Sequence, residues 1–172
     1  MKKTIGFLGL ISIFGCKTNQ PLQTVANVDL NKYLGKWYEI AAFPQYFERG
    51  CSCVTAVYSV SEKKYITVLN SAYKAEEKKN TSIKGKAFIV KESGCAKLKV
   101  QFFWPFKGNY WIIDLADDYS YAVVGDPKRK SLWILARNKK MSDETYNKIL
   151  EVCKQKGFDI TQLKKTDQSC IN

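Results

Sequence analysis

The chain has 172 residues and no His, and its 28 basic against 16 acidic side chains give a formal charge of +12. The length suits one domain, and the missing imidazole excludes Ser-His-Asp triads, Cys-His dyads, His-bearing zinc sites and the usual general base near neutral pH. The charge favours nucleic acid or an anionic surface as partner. However, Lys63, Lys74, Lys84, Lys86, Lys91, Lys97 and Lys99 are scattered, and many alternate with apolar neighbours. That is the pattern of a solvated strand face that resists edge pairing, not of a phosphate-reading groove.

Lys2 and Lys3 followed by the apolar run 5–14 make a targeting segment, too short to span a bilayer. The run ends in Ile13-Phe14-Gly15-Cys16, which resembles the lipobox of bacterial lipoproteins. Residues 1–15 are therefore expected to be a signal peptide and Cys16 a lipidated residue. Several acyl chains at about 0.8 kcal/mol per buried methylene would anchor it stably. Ordinary secretory cleavage nearby, or an uncleaved anchor, is the plainer alternative. Residues 16–30 are polar and lack periodicity, so they read as a tether to a domain over 31–172.

Residues 31–34 predict a short helical turn leading into Gly35. Eight strand-like runs then follow at 37–43, 54–60, 65–71, 82–90, 98–103, 110–115, 121–125 and 131–137, each bounded by turn residues. No interval has the length of a crossover helix, so the strands form an antiparallel meander. One helix follows. Ser142 is its N-cap, Asp143 and Glu144 occupy the first turn, and Gly157 stops it. Tyr146, Ile149, Leu150 and Cys153 form one apolar stripe, so the helix packs outside the barrel wall.

Gly35, Trp37 and Arg137 suggest how the sheet closes. Gly35 lets the chain turn sharply, Trp37 plugs one end, and the flat guanidinium of Arg137 stacks over the indole. These segments are far apart in sequence, so their meeting requires a closed sheet. Cys51-Ser52-Cys53 is too tight for a metal clamp, and no second clamp exists; no metal and no cofactor are expected. With Cys16 lipidated, five Cys remain, so at least one thiol is free or pairs between chains.

The motifs together resemble the lipocalin family. Gly35-Lys36-Trp37-Tyr38-Glu39-Ile40 is similar to its first motif. Phe47-Glu48-Arg49-Gly50, the run 98–106, the run 119–125, Leu132-Trp133-Ile134-Leu135-Ala136-Arg137 and Gly157-Phe158-Asp159 are similar to the bacterial outer-membrane lipoprotein members and their apolipoprotein D-like relatives. The resemblance implies an all-β fold: an eight-stranded antiparallel up-and-down β-barrel with one C-terminal α-helix packed outside. It implies a Cys53–Cys170 disulfide, with Cys51, Cys95 and Cys153 departing from the pattern; a Cys51–Cys153 bridge stays open. It also implies that Asn70, Phe102, Tyr110, Trp133 and Leu135 line a ligand pocket.

Strand alternation adds to this list. The charged parity of 98–102 faces water, so Leu98, Val100 and Phe102 face in. Ile66, Val68 and Asn70 share a face, as do Tyr110, Ile112 and Asp114. The ligand-binding set is thus Val68, Asn70, Val100, Phe102, Tyr110, Trp133 and Leu135. Asn70, Tyr110 and Lys74 are expected near the mouth, where they would meet a carboxylate or phosphate head group. The expected ligand is a fatty acid or lysophospholipid, carried by a protein held at the outer membrane. Filling of the barrel by its own aromatics is the plainer reading of any one of these residues.

Phe43, Tyr46, Phe47 and Trp104 belong to mouth loops. They would touch membrane, touch a second barrel to make a homodimer, or simply fold over as caps. Three alternatives remain at this level. A lipocalin-fold enzyme would use Cys51 or Cys53 at the mouth, and without His that thiol needs a Lys to lower its pKa. A basic barrel binding nucleic acid would use the aromatics of 102–107, but export argues against it, so no nucleic acid is expected. A pigment or tetrapyrrole carrier needs no iron ligand; haem would, and neither His nor paired Met is present to supply it.

Overall fold

The computed structural model describes residues 20–63 and 65–170. The signal segment, Cys16 and the first residues of the expected tether lie outside the described residues. Eight strands follow in chain order: β1 (Gly35–Ala42), β2 (Cys51–Val60), β3 (Ile66–Lys74), β4 (Lys79–Ile89), β5 (Lys97–Gln101), β6 (Gly108–Leu115), β7 (Tyr121–Gly125) and β8 (Leu132–Ala136). Each pairs antiparallel with the next, and β1 also pairs with β8, so the sheet closes into a barrel without an open edge. Helix α1 (Leu30–Tyr33) precedes the barrel and α2 (Asp143–Gln155) follows it. The architecture is the all-β barrel with an external helix that the motifs imply.

Alternation along the strands divides the apolar residues into two cores. Tyr33, Trp37, Tyr58, Val68, Leu98, Ile112, Val124 and Leu135 pack inside the barrel. Ile40, Phe43, Ile113, Val123, Leu132 and Ile134 pack outside it, against Ile149 and Cys153 of α2 and against Phe158. β7 and β8 are therefore covered on both faces, which is why they read as continuous apolar runs. Ser142 caps α2 by accepting the Thr145 N–H at 3.2 Å, and Gly157 ends it at φ +82°.

One end of the barrel is sealed. Gly35 sits at φ +92°, a conformation that other residues rarely adopt, and turns the chain from α1 into β1. Trp37 is fully buried and donates its indole N–H to the Tyr33 carbonyl at 2.8 Å. The Arg137 guanidinium lies 3.7 Å from the centre of the Trp37 ring. It donates to the carbonyls of Lys32 at 2.6 Å, Lys36 at 2.8 Å, Leu34 at 3.0 Å and Tyr33 at 3.2 Å.

Toward the other end, β1 and β2 diverge. They pair only from Gly35↔Tyr58 to Tyr38↔Thr55. The C-terminal tail fills the gap. A two-residue strand, β9 (Lys164–Lys165), adds to β1 at Ala41 and Ala42. Beyond it, the Gln168 side-chain amide donates to the carbonyls of Glu39 at 2.9 Å and Val54 at 2.8 Å. Cys53 and Cys170 then form a disulfide. The tail is thus part of the wall rather than a loose end.

Several expectations are corrected. Residues 20–29 are not a free tether: Leu22 and Val28 are buried, and the Val25 and Val28 N–H groups donate to Ile112 and Gly94 carbonyls at 3.0 and 2.8 Å. The apolar positions 22, 25 and 28 carry that packing. Asp114 does not share a face with Tyr110 and Ile112. A register shift between Ile112 and Asp114 breaks the alternation, and Asp114 meets the outer Tyr121 hydroxyl at 3.2 Å. Phe43 is not at the mouth surface; it is buried outside the wall against Phe158. Cys51 and Cys153 do not bridge: both are free, and Cys153 is buried on the inner face of α2. All eight strands, α2 and both cores lie between residues 20 and 170, so the chain from residue 20 onward carries the complete closed sheet.

Candidate ligand cavity

The barrel encloses a cavity of about 340 Å³ between the sealed end and the loops 43–50 and 102–107. β3 supplies Val68 and Asn70, β5 supplies Val100, β6 supplies Tyr110, and β8 supplies Trp133 and Leu135; Phe102 enters just past β5. The structure brings all seven of these residues to one cavity wall. The local sequence explains part of this. Register sets Asn70 beside Ala56, a small neighbour that leaves room for the amide. A Cβ on Gly85 would lie 2.7 Å from the Phe102 ring, so that glycine makes the space the ring fills.

Tyr58 and Tyr110 line the cavity floor, and the hydroxyl of buried Tyr33 joins theirs. Tyr58 donates to the Tyr110 hydroxyl at 2.8 Å, and Tyr33 and Tyr110 lie 2.7 Å apart. Burial raises all three phenols, Tyr58 to about 12, so they are neutral donors and acceptors at any ordinary pH. Tyr110 therefore belongs to the floor and not to the mouth where its head-group role was expected. Lys74 is also not a lining residue. Its ammonium is paired with Glu77 at 2.8 Å outside the cavity.

Among the lining residues that the sequence did not single out as ligand contacts, two are acids, Glu39 and Glu48. Glu39 stands two residues after Trp37 on β1, so the same parity turns it inward. That signal was present. Glu48 lies in the short helical turn Tyr46–Glu48, where no strand parity sets the direction of its side chain. Glu39 is buried and accepts the Thr166 hydroxyl at 2.5 Å. Burial raises its carboxyl above the ordinary range, against the Thr166 bond. Burial and the charge of Glu39 push Glu48 up to about 8, opposed by the polar side chain of Trp133.

Asn70 Oδ1 is buried with no partner in the protein. Among the described residues no Lys or Arg lines the cavity. The polar groups at its upper part are therefore acceptors or acids. Cys51 stands near them, and burial raises its thiol. Cys53 is held in the disulfide. Around the opening, Tyr46, Phe47, Phe103, Trp104 and Phe106 are exposed. Of these, Phe47, Phe103 and Phe106 also line the cavity at its opening, whereas Tyr46 and Trp104 do not.

A closed antiparallel barrel, sealed at one end and mostly apolar within, belongs to the class that encloses one small hydrophobic molecule. A family model described as a lipocalin-like domain matches residues 28–168. The chain is 40% identical over 161 residues to the outer membrane lipoprotein Blc of Vibrio cholerae serotype O1, covering 91% of this chain and 94% of that one. It is 38% identical over 160 residues to apolipoprotein D of Macaca fascicularis, covering 88% and 82%. Among solved structures, insecticyanin of the tobacco hornworm Manduca sexta matches in fold with a TM-score of 0.69 at 22% identity, over 86% and 85% of the two chains. The chain belongs to the lipocalin family.

Proposed function

We propose that this lipocalin carries single-chain lipids, fatty acids or lysophospholipids, in its barrel, and that Cys16 anchors it in the cell envelope. The observation that carries the reading is the cavity itself: an apolar tube with polar groups near its open end. Each acyl methylene transferred from water into such a tube contributes about 0.8 kcal/mol. Relatives named as outer membrane lipoproteins support the outer membrane as its place. The exposed aromatics around the mouth, with Arg49 and Lys107 among them, suit a mouth that meets a bilayer.

A mouth thiol supplies no ready nucleophile for the enzymatic alternative. Cys53 is bonded to Cys170, and the Cys51 thiol is pushed up rather than down. The proposed role is therefore binding and not catalysis.

The test is a titration of the chain from residue 20 onward with oleate and oleoyl lysophospholipids, following Trp emission. Trp133 lines the cavity, so emission changes and saturates at one lipid per barrel. The response disappears in folded Trp133→Ala or Phe102→Asp variants. Unchanged emission with every lipid, together with a native mass spectrum of an empty barrel, refutes the lipid reading. Saturable binding of a tetrapyrrole under the same conditions would replace it with a pigment carrier.

A further inference from the structure

We propose that the Glu39–Glu48 pair favours ligands whose polar end is an ammonium group over those ending in a free carboxylate. The inference rests on the lipid-carrier reading and narrows it.

The geometry carries the argument. Both carboxyls line the same apolar cavity, close enough that each charge acts on the other: Glu39 from β1 and Glu48 from the turn after it. Asn70 Oδ1, on β3, adds a buried acceptor that no protein donor satisfies. Such an acceptor is costly to leave unpaired, so a bound ligand that donates to it is favoured. The wall therefore asks its ligand for donors and for positive charge. An ammonium supplies both, with up to three N–H groups. A carboxylate supplies neither and adds a third acid beside two that already resist ionising.

The groups around the pair do not cancel this demand. Thr166 from the tail donates its hydroxyl to Glu39, and the Gln168 amide is used on backbone carbonyls. The Trp133 side chain from β8 lowers the Glu48 carboxyl in part, against burial. Cys51 on β2 is a neutral thiol. Lys74 on β3 faces Glu77, which also holds Lys79. Arg49 lies over the Tyr46 ring, and Lys165 over the Tyr146 ring and toward Asp143. Every nearby cation thus has another partner, and none lines the cavity.

Ligand arrival then moves a proton. At neutral pH the raised carboxyls hold one that an ammonium displaces to solvent. A fatty acid instead binds only by bringing or taking up a proton, because its charge has no counter-ion there.

The experiment compares four probes of equal acyl length below their micellar concentrations: a primary alkylamine, a lysophosphatidylethanolamine, a monoacylglycerol and a fatty acid. Calorimetry at pH 7.5 in two buffers of different ionisation enthalpy gives both Kd and protons exchanged. The expected order places both ammonium probes at least roughly tenfold tighter than the monoacylglycerol, about 1.4 kcal/mol, and the fatty acid weakest. Ammonium binding releases a proton in the unmodified protein, which needs no variant. In Glu48→Gln the release falls and the preference shrinks to within about threefold. If only the lysophospholipid binds tightly and the alkylamine does not, the phosphate is being read and the proposal fails. A fatty acid that binds as tightly as the amine, or amine binding without proton release, also overturns it while leaving a lipid carrier standing. Failure of all four probes overturns the carrier reading itself.

Discussion

Replacing Arg137 by Ala tests whether the sealed end depends on one side chain. The guanidinium stacks 3.7 Å from the Trp37 ring centre and donates to four carbonyls between Lys32 and Lys36. A partly desolvated cation–π contact contributes about 1–2 kcal/mol. Hydrogen bonds from a charged donor contribute about 1.5–3 kcal/mol each when buried, but Arg137 is half-exposed and water replaces some of them. A net loss of about 3–4 kcal/mol follows for Arg137→Ala. Arg137→Lys keeps the charge but cannot stack flat or reach several carbonyls at once, so it loses about 2–3 kcal/mol. Urea denaturation of the chain from residue 20 onward measures this. With a slope of about 2 kcal/mol per molar, the midpoint falls by about 1.5–2 M in the Ala variant at unchanged slope. A loss under about 1 kcal/mol, with Lys equal to Arg, would show that strand pairing alone holds the barrel shut and would refute this account of closure.

Two further outcomes follow. Cys170→Ser opens a link between residues separated by 117 positions. The chain-entropy relation puts its contribution near an upper value of about 4.9 kcal/mol, and the tail amides such as Thr166 N–H then exchange faster with solvent; an unchanged denaturation midpoint and unchanged exchange would contradict the tail's place in the wall. The ligand-free protein loses stability as pH rises from about 4.5 to about 8, because folded Glu48 holds its proton up to about 8 while the unfolded carboxyl releases it near 4.5. The full shift corresponds to about 5 kcal/mol, which solvent at the mouth reduces to about 2 kcal/mol. Glu48→Gln flattens that slope, and a slope that persists unaltered in the variant would count against a protonated Glu48.

Much of the barrel was legible because each of its strands is bounded by turn residues and obeys a period of two. Leu98 to Phe102 shows it well: charged Lys99 and polar Gln101 alternate with three apolar residues, and only one face can be inside. Trp37 and Arg137 were legible for a different reason. A flat cation and a large ring at the two ends of a meander make chemical sense only if they meet. Local rules failed where the alternation breaks. The shift in β6 turned Asp114 outward, and no residue type there announces it. They failed too at Lys164–Lys165, where two residues are too few to show a period.

The tail and the acid pair mark the boundary between the two kinds of information. The sequence by itself determined that strands form, in which order they pair, which residues can be buried, and that one helix with an apolar stripe needs a wall to lie on. These depend on neighbours within a few positions. Only the tertiary structure decided that β1 and β2 part company after Tyr38 and Thr55, that Gln168 and Cys170 fill the opening, and that Glu39 and Glu48 share a cavity without a lining cation. Those facts depend on groups 9 to 129 residues apart meeting in a low-dielectric space. Burial strengthens each charge there, and nothing local in the chain records which partner it will face.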